Sequence, residues 1–206
     1  NNTYTGTTTI SGGTLQIGAG GTTGTLGSAA VVNNANLAID RSGYLTVANA
    51  ISGSGSVTQI GSGSITLSGA NTYSGNTIVS AGTLHFNTPS SLYGGTIDVT
   101  NADKISVADG ATLSLGVGTG SSFSSSNIAT IAVNSTFDAG SKLALNTAQA
   151  TGGIATLSDL SSGTVNLQKT GTGTLKLTGT SSGTGTMGVE TGTLVYETTG
   201  SFLGGT

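Results

Sequence analysis

Residues 61–86 read GSGSITLSGANTYSGNTIVSAGTLHF, and the spacing inside this stretch decides the fold. Ile65-Thr66-Leu67 and Leu84-His85-Phe86 are apolar–x–apolar triplets. At a period of two, the flanking side chains share one face of a strand and the middle one takes the other. Between the triplets stand Gly69, Asn71, Gly75 and Gly82, residue types that accept turn geometry at little cost.

Outward from this stretch the same triplet recurs along the chain. It appears as Leu15-Gln16-Ile17, Leu37-Ala38-Ile39, Leu45-Thr46-Val47, Ile97-Asp98-Val99, Ile105-Ser106-Val107 and Leu113-Ser114-Leu115. It continues as Ile131-Ala132-Val133, Leu143-Ala144-Leu145, Val165-Asn166-Leu167, Leu175-Lys176-Leu177 and Leu194-Val195-Tyr196. Neighbouring triplets, such as Leu37 and Leu45 or Ile97, Ile105 and Leu113, start eight residues apart, too close for a crossover helix. A hairpin fold would want Asn-Gly or Asp-Gly turns and longer strands, and Asp109-Gly110 is the sole such dipeptide. The pattern predicts an all-β chain, a right-handed parallel β-helix of roughly eight to ten coils at about 20–25 residues each. Leu15, Leu67, Leu84, Leu113, Leu145, Leu177 and Leu194 are the expected core, and His85, Asp98 and Lys176 the expected surface.

Composition agrees. Of 206 residues, 36 are Gly, 38 Thr and 28 Ser, all poor helix formers, which excludes helical bundles. A net charge of −3 supplies no basic face for nucleic acid. The absence of Cys rules out disulfides and thiolate metal sites, and no run of about 18 apolar residues predicts a membrane-spanning helix. At 34% hydrophobic residues and low net charge, the chain does not have the composition of a disordered one.

Internal repeats strengthen the solenoid. Residues 57–96 align with 167–206 without a gap, pairing Gly61, Gly63, Leu67, Gly69, Gly75, Val79, Gly82 and Leu84 with Gly171, Gly173, Leu177, Gly179, Gly185, Val189, Gly192 and Leu194. Residues 2–17 align with 71–86. The series Gly61, Gly63, Leu67, Gly69, Asn71, Tyr73, Gly75, Thr77, Val79, Gly82, Leu84 closely resembles the autotransporter-associated β-strand repeat, also called the passenger-associated transport repeat. The third copy departs from it, with Ser181, Gly183 and Met187 in place of the Asn, Tyr and Thr. The resemblance implies a β-helical passenger segment of a type V secreted protein of Gram-negative bacteria, exported through an outer-membrane barrel carried elsewhere in the full-length protein. It implies a location outside the cell or on its surface.

Chemistry is sparse in this sequence. His85 is the only His, and with Ser abundant a Ser-His-Asp match through it is uninformative. Gly183-x-Gly185-x-x-Gly188 fits the dinucleotide pattern without the strand–turn–helix context that gives the pattern meaning. Asp98, Asp103 and Asp109 are candidate acids for a polysaccharide-acting β-helix enzyme, a lyase or hydrolase, but read as turn formers and a surface charge. An ice-binding ladder would need a row of outward Thr, and only Thr46 and Thr66 occupy the middle positions of the triplets. The expectation is therefore a non-catalytic stalk or adhesive segment with no catalytic residue, cofactor or metal. Its partners would be neighbouring coils or copies end to end, and other cells or matrix, without nucleic acid or membrane insertion. Segments 118–127 and 147–163 break the rhythm and are expected as loop excursions from a single elongated unit, 1–206. Because the chain opens inside the motif at Asn1-Asn2-Thr3-Tyr4 and stops at Gly204-Gly205-Thr206, it reads as an internal segment of a longer rod.

Overall fold

The structure, a computed structural model, describes residues 2–198. Its strands are short, three to six residues in most cases, and every strand pairing among them is parallel. They stack into four ladders. Sheet A holds Thr8–Ile10, Val31–Asn33 and Ile51–Ser52. Sheet B runs from Thr14–Ile17 through Asn36–Ile39, Ser56–Gln59, Thr77–Val79 and Ile105–Val107 to Thr136–Phe137. Sheet C is the longest, seven strands from Leu45–Val47 to Met187–Val189. Sheet D collects Ile154–Ser158, Thr174–Gly179 and Thr193–Thr198. The chain is an all-β parallel β-helix. The seven rungs of sheet C, with the coil of Thr14–Ile17 below them, make eight coils.

The triplet rhythm builds the core directly. On sheet C, Ile65, Leu84, Leu113, Leu143 and Leu167 stand in register, one per coil, at 0–2% exposure. Leu67, Phe86, Leu115 and Leu145 form a second buried row two residues on. Each coil buries its apolar face mainly against its neighbours above and below, which is how chains of small residues accumulate a core. Leu67, Leu84, Leu113, Leu145 and Leu177 are buried as expected. Leu15 and Leu194 are only half-buried, and each lies in a strand that is paired on one side among the described residues.

Helix was the main surprise. Ile131-Ala132-Val133, read as a strand, lies inside helix α2 (Ser125–Asn134). The helix splits the triplet: Ile128, Ile131 and Ala132, spaced i, i+3 and i+4, turn inward, and Val133 turns outward. A capping box starts the helix, the Ser124 hydroxyl accepting the Asn127 N–H while the Asn127 side chain accepts the Ser124 N–H. Ile97-Asp98-Val99 is likewise not a strand. Asp98 caps helix α1 (Val99–Ala102), its carboxylate accepting the Asn101 N–H at 2.9 Å.

The two expected excursions are more ordered than loops. Segment 118–127 makes a tight turn, with the Ser122 hydroxyl accepting the Gly118 and Thr119 N–H groups at 3.0 and 3.1 Å, and then enters α2. Segment 147–163 contains the first strand of sheet D, Ile154–Ser158.

These insertions change the phase of the repeat. Coils are 20 residues long between Leu37 and Val57, but 29 between Leu84 and Leu113 and 30 between Leu113 and Leu143. In the copy at 57–86 the two opening strands lie on sheets B and C, whereas their equivalents at 167–195 lie on C and D. The repeat has slipped by one side of the helix while keeping its local geometry. Sheet B ends and sheet D begins across this slip.

Candidate functional site

The repeat residues are buried between coils. Asn71 is fully buried: its side-chain oxygen accepts the Ile51 N–H of the coil below at 3.0 Å, and its amide donates to the Ser91 carbonyl of the coil above at 2.7 Å. Tyr73 is 1% exposed and donates to the Thr77 hydroxyl at 2.7 Å, which in turn donates to the Tyr93 hydroxyl at 2.9 Å. The two rings pack tilted with centroids 5.3 Å apart. Burial pushes both phenols up, Tyr93 to about 12, so both remain protonated at physiological pH.

The glycines answer to the same stacking. A Cβ on Gly61, Gly63, Gly69 or Gly75 would come closer than 3.0 Å to backbone of the preceding coil, respectively Arg41, Gly43, Asn49 and Gly55. Gly82 adds a left-handed backbone at φ +61°. Leu67, Val79 and Leu84 fill the core between these corners.

The other two copies show which parts of the motif are separable. In the first, Asn2 donates to the Thr25 carbonyl at 2.8 Å and Tyr4 bonds the Thr8 hydroxyl at 2.6 Å, the same pairs one repeat earlier. In the third, Ser181 keeps the accepting half of the Asn71 role, taking the Leu160 N–H at 3.3 Å. Gly183 leaves no tyrosine to satisfy; a Cβ there would strike the Ser162 hydroxyl. The matches at Asn1 and at Gly204-Gly205-Thr206 lie outside the described residues.

The sequence does not single out the fully buried cation. Lys169 stands in the inward row of sheet C beside Leu145, at 0% exposure. Its ammonium donates to the carbonyls of Thr170, Gly171 and Thr191 at 2.7, 2.6 and 3.0 Å, which uses all three N–H groups. Burial lowers its pKa from the ordinary lysine value. Its repeat equivalent Gln59 does the same work with an amide, donating to the Gly61 carbonyl at 2.7 Å. The position caps a corner, and period-two patterning cannot distinguish such a cap from an outward polar residue.

The outer face of sheet C carries a cleft of about 450 Å³, adjoining a second of about 380 Å³. In register across the sheet its floor reads Thr46, Thr66, His85, Ser114, Ala144 and Gln168. The turns that follow the strands, 116–119 and 146–149, wall one side of the first cleft. His85, expected on the surface, is half-buried here. Its Nε2 donates to the Asn87 side-chain oxygen at 2.7 Å, and its Nδ1 accepts from the Ser114 hydroxyl at 2.8 Å. Burial lowers its pKa, opposed by these hydrogen bonds. NMR titration is expected to give His85 a pKa below the ordinary 6.5. A lowered folded pKa means the unfolded chain binds the proton first. The contribution of His85 to stability is therefore complete above about 6.5 and lost as pH falls through the folded value; an ordinary or raised value would contradict this assignment.

The acidic candidates do not converge. Asp98 caps the start of α1 and is exposed, Asp103 follows the end of that helix, and Asp109 accepts the Gly140 N–H of the next coil at 2.9 Å. Among the described residues no three His, Cys, Asp or Glu side chains cluster to hold a metal. Gly183, Gly185 and Gly188 lie on the way into and within strand Met187–Val189, with no helix following in the described residues. Lys176, expected exposed, is half-buried and pairs with Glu197 at 2.9 Å. Among the described residues no helix is long and apolar enough to cross a membrane.

Comparison with known proteins places the repeat. The sequence model of the passenger-associated-transport-repeat family matches residues 1–17, 57–86 and 167–195. These are the three copies described above. Over 56 residues the chain is 50% identical to the adhesin BmaC autotransporter of Brucella suis biovar 1 (strain 1330). That match covers 27% of this chain and 2% of the adhesin. No solved structure matches the chain. These stretches of the chain are similar to an autotransporter passenger repeat region.

Proposed function

We propose that the chain is a non-catalytic stalk segment of a surface-exposed autotransporter passenger, rigid along its axis and offering its lateral faces for contact with other cells or matrix. The observation that carries this reading is where the repeat residues go. Asn71, Tyr73, Thr77 and the motif glycines of the copy at 57–86 are occupied in contacts within and between coils, so the geometry of that copy serves stacking. Such a rod assembles coil on coil, each templating the next, which suits folding after passage through a pore.

The test is display. Fused to a heterologous autotransporter barrel in a Gram-negative host, the segment is expected to reach added protease on intact cells and to increase cell–cell or cell–matrix attachment. Retention inside the cell, or attachment equal to that of the barrel alone, would refute the proposal.

A hydrolytic reading has one observation in its favour, the Ser114–His85–Asn87 chain of hydrogen bonds. Ser114 is only 3% exposed, and the parallel ladders occupy both sides of its strand, leaving no strand amides directed at a developing oxyanion. The stalk reading is accordingly expected to survive an assay with p-nitrophenyl acetate: no turnover that His85→Asn abolishes.

A further inference from the structure

We infer that the outer face of sheet C is a binding groove for a neutral oligosaccharide chain. The inference deepens the contact-surface reading above and rests on it for its biological setting. Three features carry it.

The first is chemistry. The floor and wall are hydroxyls, amides and one imidazole: Thr66, His85, Asn87, Asn146, Gln168. No Lys or Arg lines either cleft, and a single carboxylate, Glu190, stands at one end. A phosphate or acidic sugar would meet Glu190 in the groove and a single counter-charge at its edge, Lys142, exposed on the same outer face in a recess it shares with Gln168. The large apolar side chains of the lining are Val117, itself buried, and Tyr44, so a hydrophobic peptide would find no apolar pocket to fill. A chain of uncharged hydroxyls matches donor for acceptor.

Shape is the second. The groove runs across the rungs of sheet C, from Tyr44 beside its first strand to Thr191 beyond its last. Seven rungs span roughly 29 Å at the usual strand spacing of about 4.8 Å. Side chains therefore recur at a regular short interval along the groove, which suits a linear polymer of repeating units better than a single compact ligand.

The third is Tyr44. It is 88% exposed on the rim of the groove, and nothing in the fold requires an aromatic side chain in that position. A flat aromatic face beside hydrogen-bonding amides offers one surface for the apolar face of a pyranose ring and another for its hydroxyls. The groove floor is also rigid: His85 is fixed from both sides by Ser114 and Asn87, so little side-chain freedom is lost on binding.

The experiment is calorimetric titration of the 206-residue chain with cellohexaose, laminarihexaose, maltohexaose and chitohexaose, and with hexagalacturonate as the charged counterpart. At least one neutral hexamer is expected to bind, and hexagalacturonate is not. Tyr44→Ala and Gln168→Ala should each weaken binding about tenfold, whereas Val99→Ala on helix α1, away from the groove, should not. Tyr44 is exposed, so its variant retains the fold, checked by circular dichroism. No binding by any neutral hexamer, stronger binding of hexagalacturonate, or affinity unmoved in both groove variants would overturn the inference. Normal surface display with no binding defeats the groove alone. Binding in vitro with failed display defeats the stalk reading and leaves the groove standing.

Discussion

Asn71→Ala is expected to lower stability by about 3 kcal/mol, read as a shift of the urea midpoint with little change in slope. The side chain is fully buried and holds two coils at once, through the Ile51 N–H below and the Ser91 carbonyl above. Alanine leaves both backbone groups buried without a partner, and each such group costs on the order of 1–3 kcal/mol. Asn71→Ser repeats what the third copy already carries at Ser181, an acceptor without the amide donor. It is expected to cost about half as much, since one of the two groups stays paired. The Ile51 amide should exchange with solvent faster in the alanine variant than in the serine one. A loss below about 1 kcal/mol for Asn71→Ala would show that the coils are held chiefly by their apolar rows.

Gly69→Ala is expected to cost about 3 kcal/mol or more, or to prevent folding of the coils around it. Its Cβ would meet the Asn49 carbonyl carbon and oxygen and the Ala48 carbonyl oxygen, all at less than 3.0 Å. Backbone of the coil below cannot yield without opening the ladder on either side. Gly12→Ala is the matched control: nothing lies within 4 Å of its Cβ and its backbone is not left-handed. That variant is expected to stay within about 1 kcal/mol of the parent, with slight stabilisation from a less flexible unfolded chain. Thermal melts of the two variants side by side provide the check. Equal melting temperatures would mean that the coils tolerate a wider spacing at their corners.

The cleft was less legible than the scaffold. His85 is visible in the sequence as the only His, but its partners are not. Ser114 lies 29 residues away and meets it only because the coil between them is long. Tyr44 precedes a triplet and carries no mark of its position at the rim. Lys169 reads as an ordinary surface charge until Leu145, in the preceding coil, shows it to stand in an apolar row. In each case the deciding neighbour belongs to another coil, and a single strand holds no information about what stacks on it.

The sequence by itself determined most strands of sheet C and the parallel solenoid. Period-two alternation is a local property of the chain, and short triplets with Gly and Asn between them leave no other way to bury the apolar face. Tertiary structure alone decided the two helices, the phase of the repeat and the outer groove. Ile131-Ala132-Val133 reads as a strand by itself, but Ile128, Ile131 and Ala132 make a helical face, and the capping box and the packing of that face settle the choice. Residues equivalent by sequence lie one side of the helix apart, since the lengths of the intervening coils sum over many residues while a strand's own pattern is fixed by its immediate neighbours.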